Sequence, residues 1–168
     1  SVCSTDQPVN ALRKLKKSSM RLGINSINLN ECDGFVSAGN TGALMAISKF
    51  VLKTIKAIDR PAIAALMPTM KGQTVILDLG ANVECSSENL VQFAIMGDMF
   101  SRSVLGIKNP KLGLLNVGSE QIKGNAVVKK TFDDLKKMNS KINFFGFVEG
   151  NDINKGIVDV IVTDGFSG

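Results

Sequence analysis

Residues 112–148 read LGLLNVGSEQIKGNAVVKKTFDDLKKMNSKINFFGFV. The stretch opens with an apolar run of strand length, 112–117, and continues through a glycine-containing loop. From Asn125 to about Met138 the period becomes helical and gathers Val128, Phe132 and Leu135 on one face, and a second apolar run follows over 143–148. Alternation of strand, helix and strand is the mark of a parallel sheet wrapped by helices. Lys129, Asp133 and Lys137, four residues apart on the other face, support the helix and need no functional explanation.

The same alternation extends in both directions. Further strands are expected at 34–38, 62–67, 74–79 and 158–163, most of them nearly continuous in Val, Ile, Leu and Phe, as strands covered on both faces must be. Pro8 can open a basic helix over 9–17, and Ser18 or Ser19 can cap a second that aligns Met20, Ile24 and Ile27. Another helix is expected over 40–53. A further one, capped by Ser87, places Leu90, Phe93, Ala94 and Gly97 at i, i+3, i+4, i+7. With no internal repeat and no linker, residues 1–168 are expected to form a single α/β domain.

Composition narrows the function. Apolar residues make up 44% of the 168 and charged residues 21%, the balance of a globular protein. The chain starts at Ser1 and stops at Gly168 just after an apolar run, so both ends are expected to lie inside a longer protein. No apolar stretch approaches the roughly 20 residues of a membrane span, and a soluble protein is expected. Three cysteines at wide spacing form no CxxC pair, which suits a reducing cytoplasm, and Cys32 and Cys85 are expected to be inert. Histidine is absent, which removes the Ser-His and Cys-His nucleophile pairs and the commonest metal ligand; no metal and no cofactor is expected. A net charge of +5 points to an acidic partner. Nucleic acid is a poor candidate, because Trp and Tyr are absent and the nine Phe sit mostly in apolar runs.

Ligands of open α/β sheets bind outside the carboxyl ends of the strands. At those ends this sequence carries Ser37-Ala38-Gly39-Asn40-Thr41-Gly42, either a tight turn that needs glycine or an anion cradle at a helix start. The 74–79 strand ends in Asp78-Leu79-Gly80-Ala81-Asn82, its acid either bonding turn amides or serving a ligand. Asp164-Gly165 repeats that ending. The loop from Asn116 to Asn125 holds Lys123 beside a helix start but lacks the GK[ST] of a phosphate loop, and no GxGxxG occurs. Glu149-Gly150-Asn151-Asp152 is a turn or a further site element. Arg13-Lys14-Leu15-Lys16-Lys17 is a solvated face or a docking surface.

The runs SAGNTGALMA, DLGANVEC, LVQFAIMGD, GLLNVG, IKGN, FVEGND and VTDGFSG, in this order, resemble the bacterial phosphate acyltransferases of phospholipid synthesis, the PlsX family. The resemblance implies a three-layer α/β/α fold with a mostly parallel sheet, related to isocitrate and isopropylmalate dehydrogenases, in a homodimer that associates with the membrane surface. It implies transfer of a fatty acyl group from acyl carrier protein to inorganic phosphate, giving acyl phosphate. Phosphate is already an anionic nucleophile at neutral pH and a thiolate leaves readily, so a site without histidine suffices. Under this resemblance Ser37, Gly39, Asn40, Thr41 and Gly42 cradle phosphate, and Asn82 and Asn125 position it or the thioester carbonyl. Lys123 neutralises developing charge, and Asp78, Glu149 and Asp164 orient these groups. The acidic carrier would dock on Arg13, Lys16 and Lys17. One departure stands out: the family places two or three acids after the glycine of the 112–117 strand end, and here the loop reads Ser119-Glu120-Gln121. Competing expectations are a phosphate acetyl- or butyryltransferase acting on acyl-coenzyme A, a decarboxylating dehydrogenase of related fold, and a non-catalytic carrier-binding fragment.

Overall fold

A computed structural model describes residues 2–120 and 123–168. The backbone falls into two compact units, Ser1–Pro61 and Ala62–Gly168, each described by itself.

Three helices build the first unit: α1 (Pro8–Lys14), α2 (Ser19–Asn28) and α3 (Thr41–Leu52). Pro8 occupies the first turn of α1, where its missing N–H costs nothing. The helix stops at Lys14, three residues short of the expected 9–17. Ser18 must be extended (φ −69°, ψ 151°) for its hydroxyl to accept from the Arg21 amide and cap α2, so the chain leaves α1 beforehand. Asn40 caps α3, its side-chain oxygen accepting from the Ala43 amide at 2.9 Å. Ala11, Met20, Ile24, Ala43 and Ile47 form the core, flanked by Leu12, Leu15, Phe35, Leu44 and Val51. The strand expected at 34–38 does not form: Phe35 packs on this core, Val36 is 96% exposed, and the segment runs as coil into the α3 cap.

The second unit is a five-stranded sheet in the order β1-β2-β5-β3-β4, made of β1 (Ala64–Thr69), β2 (Gly72–Leu77), β3 (Lys111–Leu115), β4 (Asn143–Val148) and β5 (Val160–Val162). β2, β5, β3 and β4 run parallel to one another. β1 is antiparallel to β2 through a hairpin in which Thr69 faces Gly72. It begins two residues later than expected and runs on through Pro68, which an edge strand tolerates. The strand expected at 158–163 is ordered as β5 over three residues at the sheet centre.

Side chains alternate across the sheet as the pleat requires. Val75, Leu77, Leu112, Leu114, Val160 and Val162 meet Leu90, Phe93 and Ala94 of α4 (Ser87–Val104) and Val128 and Leu135 of α5 (Ala126–Lys137). Ile76, Val148, Val158 and Ile161 form a second cluster with Leu79, Leu115, Ile153 and Ile157. Gly97 sets the spacing of α4 on the sheet, since a Cβ there would lie 2.5 Å from Val160 Cγ1 and 2.9 Å from Leu77 Cδ2. The α4 cap is Ser86, not Ser87. The Ser86 hydroxyl accepts from the Asn89 amide while Asn89 accepts from the Ser86 amide, a reciprocal box that Ser87 cannot make from one residue further on. No helix among the described residues is long and apolar enough to cross a membrane.

Candidate functional site

In the second unit, the residue following each long parallel strand is polar: Asp78 after β2, Asn116 after β3 and Glu149 after β4, with Thr163 and Asp164 after β5. The ends of β3 and β5 line a cleft of about 210 Å³, whose polar lining includes Asn116, Asn125, Thr163, Asp164 and Ser167 and whose apolar lining includes Leu90, Leu114 and Val128. A helix start points into this group. Asn125 caps α5 by accepting from the Val128 amide at 2.9 Å, and the first-turn amides of a helix have no intrahelical acceptor, so an anion there meets free donors and the positive end of the helix dipole.

Asp78 is fully buried, and its carboxylate is saturated by donors. One oxygen accepts from the amides of Ile63 (2.9 Å) and Ala81 (3.1 Å), and the other from the amide (2.7 Å) and side-chain nitrogen (2.8 Å) of Asn82. Of the two alternatives open in the sequence, the observed contacts are those to turn amides. Asn82 in turn accepts from the Gly165 amide at 2.9 Å and from the Cys85 thiol at 3.2 Å, which ties this turn to the one that carries Asp164. Asp164 bonds the amides of Phe166 (3.0 Å) and Ser167 (2.7 Å) through a single oxygen and lines the cleft.

The loop between β3 and α5 is held by Asn116. Its side-chain amide donates to the carbonyls of Gly118 (2.9 Å) and Lys123 (3.3 Å). Gly124 lies at φ +91°, and a Cβ on it would come within 2.5 Å of the Asn116 oxygen, so only glycine fits. Glu149 accepts from the Ser119 amide at 2.9 Å, bracing the loop from β4. The Lys123 ammonium pairs with Glu120 at 2.9 Å with both side chains about half exposed, and this hydrogen bond draws the Glu120 carboxyl below its usual range. Gln121 and Ile122 of this loop lie outside the described residues.

The expected residues therefore fall into two groups. Asp78, Asn82, Lys123, Asn125, Glu149 and Asp164 belong to the second unit, where Asn125 and Asp164 share the cleft and Asp78, Asn82 and Glu149 brace the turns around it. Ser37, Gly39, Asn40, Thr41 and Gly42 gather at the start of α3 in the first unit, where the Ser37 hydroxyl accepts from the Gly39 amide at 3.2 Å. The Asn40 side chain is fully engaged: besides its cap it donates to the carbonyls of Cys3 (3.2 Å), Ser4 (3.0 Å) and Asp6 (2.9 Å). Asn116, Thr163 and Ser167 were not among the expected site residues. Asn116 carries a legible signal, an asparagine directly after an apolar strand, the position Asp78 holds after β2.

Fold and cleft together define an α/β protein with a mostly parallel sheet whose strand ends can receive an anion at a helix start. A family model described as fatty acid synthesis protein matches residues 1–168, and the chain belongs to that family. Among curated relatives, it is 56% identical over 168 residues to the phosphate acyltransferase of Paramagnetospirillum magneticum, covering all of this chain and 48% of that protein. It is 57% identical over 167 residues to that of Rhodospirillum centenum, covering 99% and 47%. The chain thus spans about half the length of the curated relatives it matches. A solved structure, the EutD phosphotransacetylase from Staphylococcus aureus, superposes with a TM-score of 0.63 at 18% identity over 89% of this chain and 52% of that one, a likeness of fold.

Proposed function

We propose that this chain is the inner part of a phosphate acyltransferase that moves a fatty acyl group from acyl carrier protein to inorganic phosphate. The observation that carries the reading is identity above 50% across the whole chain to proteins named phosphate acyltransferase. In the reaction a phosphate oxygen attacks the thioester carbonyl, the carbonyl oxygen takes up the negative charge, and collapse expels the carrier thiolate, leaving an acyl phosphate. Phosphate arrives as an anion and the thiolate needs no proton to leave, so alignment and oxyanion donors dominate over acid–base catalysis.

In this reading the Ser37 hydroxyl and the first-turn amides of Thr41 and Gly42 supply phosphate donors at the start of α3, with Asn40 as the helix cap and Gly39 shaping the turn. Asn125 and the first-turn amides of α5 hold phosphate or the developing oxyanion, and Lys123 neutralises charge. Asp78, Asn82, Asn116, Glu149 and Asp164 keep the strand-end turns in place. The finer expectations belong to the same proposal: one three-layer domain of isocitrate dehydrogenase-like fold, a homodimer, and a cytoplasmic enzyme associated with the inner membrane surface.

The test is incubation of the full-length protein with palmitoyl carrier protein, with and without phosphate, in the presence of hydroxylamine to trap acyl phosphate. Hydroxamate that forms only with phosphate supports the reading; thioester loss independent of phosphate overturns it. Acyl-coenzyme A as donor in a parallel arm separates the phosphotransacetylase alternative.

A further inference from the structure

The net charge of this protein is not spread over it. Residues 1–61 carry nine Lys and Arg against four Asp and Glu, whereas residues 62–168 carry eleven of each. The whole excess of +5 therefore resides in the first unit. Within it, Arg13, Lys14, Lys16 and Lys17 follow one another around the exit from α1, all four exposed. None of the four enters an ion pair among the described residues, although Lys123, Lys130, Lys137 and Lys155 of the second unit all do.

Helix chemistry explains only half of the group. Arg13 and Lys14 occupy the last turn of α1, where a cation complements the helix dipole. Lys16 and Lys17 lie beyond the helix, in the turn before Ser18, and gain nothing from it. Like charges this close repel one another, and an acidic partner would relieve that cost. The turn is also concave: Lys14, Leu15, Lys16, Lys17 and Ser18 line an open depression of about 430 Å³. Arg21 stands apart, stacked over the Phe50 ring at 5.2 Å.

We propose that this depression is the docking surface for the acidic carrier protein, with Lys14, Lys16 and Lys17 meeting carboxylates of the carrier and Leu15 meeting an apolar side chain between them. The proposal rests on the acyltransferase reading for the identity of its partner. Charge complementarity of this kind acts mainly on encounter rate and its salt dependence.

The test uses the full-length protein and two double reversals of equal charge, Lys16→Glu/Lys17→Glu and, as control, Lys108→Glu/Lys141→Glu in the second unit. Carrier binding is read by fluorescence anisotropy at two salt concentrations, and KM is measured separately for acylated carrier and for phosphate. The expected result is a carrier dissociation constant and KM raised about tenfold or more in the first variant, with a flattened salt dependence, an unchanged KM for phosphate and near wild-type values in the control. Equal behaviour of the two variants overturns the surface. So does a first variant that loses only its affinity for anionic lipid vesicles while binding carrier normally. A wild-type protein that binds carrier through these lysines yet forms no acyl phosphate would instead refute the acyltransferase reading and leave the surface standing.

Discussion

Replacing Asp78 by asparagine changes one atom of a buried carboxylate and should be among the most damaging conservative substitutions in the chain. The native group serves four donors, two on each oxygen. Asparagine keeps one acceptor, enough for the Ile63 and Ala81 amides, and turns an NH₂ toward the two donors of Asn82, formerly at 2.7 and 2.8 Å. Rotating the amide only exchanges the orphaned pair. Two hydrogen bonds to a charged acceptor are lost at about 1.5–3 kcal/mol each, so the expected destabilisation is about 3–6 kcal/mol. That is a large part of the roughly 5–15 kcal/mol that holds a domain together. Urea unfolding of the full-length protein followed by circular dichroism should show the midpoint of this domain falling by about 2 M with an unchanged slope. A loss below about 1 kcal/mol for Asp78→Asn would refute the claim that the carboxylate organises the turn by accepting all four bonds.

Other outcomes follow from the same geometry. Gly97→Ala inserts a methyl 2.5 Å from Val160 Cγ1 and should cost about 1–3 kcal/mol in the same urea measurement, through overpacking between α4 and the sheet. Asn40→Ser keeps a cap oxygen for α3 but loses the bonds to Cys3, Ser4 and Asp6; in the same urea measurement it should destabilise less than Asn40→Ala, which also forfeits about 1 kcal/mol of capping. Glu88 is drawn from 4.5 to about 2 by its hydrogen bond to Lys130, 2.5 Å away. A lowered carboxylate contributes stability that is complete above pH 4.5 and lost as pH falls toward 2. Lys130→Met should accordingly flatten the decline of melting temperature over that window, and an unchanged acid profile would show the pair to be inert. Gly124→Ala should lower acyl transfer by displacing Asn116 and the loop before α5, with Asn116→Ala reducing it in parallel; full turnover in both would detach this loop from the reaction.

The strands written as continuous apolar runs were the most legible in the sequence. β4 occupies the expected residues, and β3 and β5 lie within one to two residues of theirs, because long runs of Val, Leu, Ile and Phe leave few registers that bury them. The Asn125 cap could be read because the helical period begins directly after it. The α4 cap could not: Ser86 and Ser87 are equally good cap residues, and only the reciprocal bond with Asn89 separates them. Residues 34–38 have strand composition but find no strand partner within their unit, a tertiary outcome that local pattern cannot show. Among site residues, sequence pointed to the polar strand ends as a set but not to their bonds. The pairing of Asp78 with the Ile63 amide spans fifteen residues and that of Glu149 with the Ser119 amide thirty, contacts that exist only once the sheet has formed.

Central to the account is an oxyanion held by main-chain amides at helix starts. The most direct test is an amide NMR titration of the full-length protein with inorganic phosphate. Saturable shifts are expected at Thr41 and Gly42 in the first turn of α3 and at Ala126 and Val127 in the first turn of α5, with none at Met99 and Phe100 inside α4, where the amides are bonded within the helix. Phosphate that leaves the α3 and α5 amides unmoved, or shifts the α4 control equally, would contradict it.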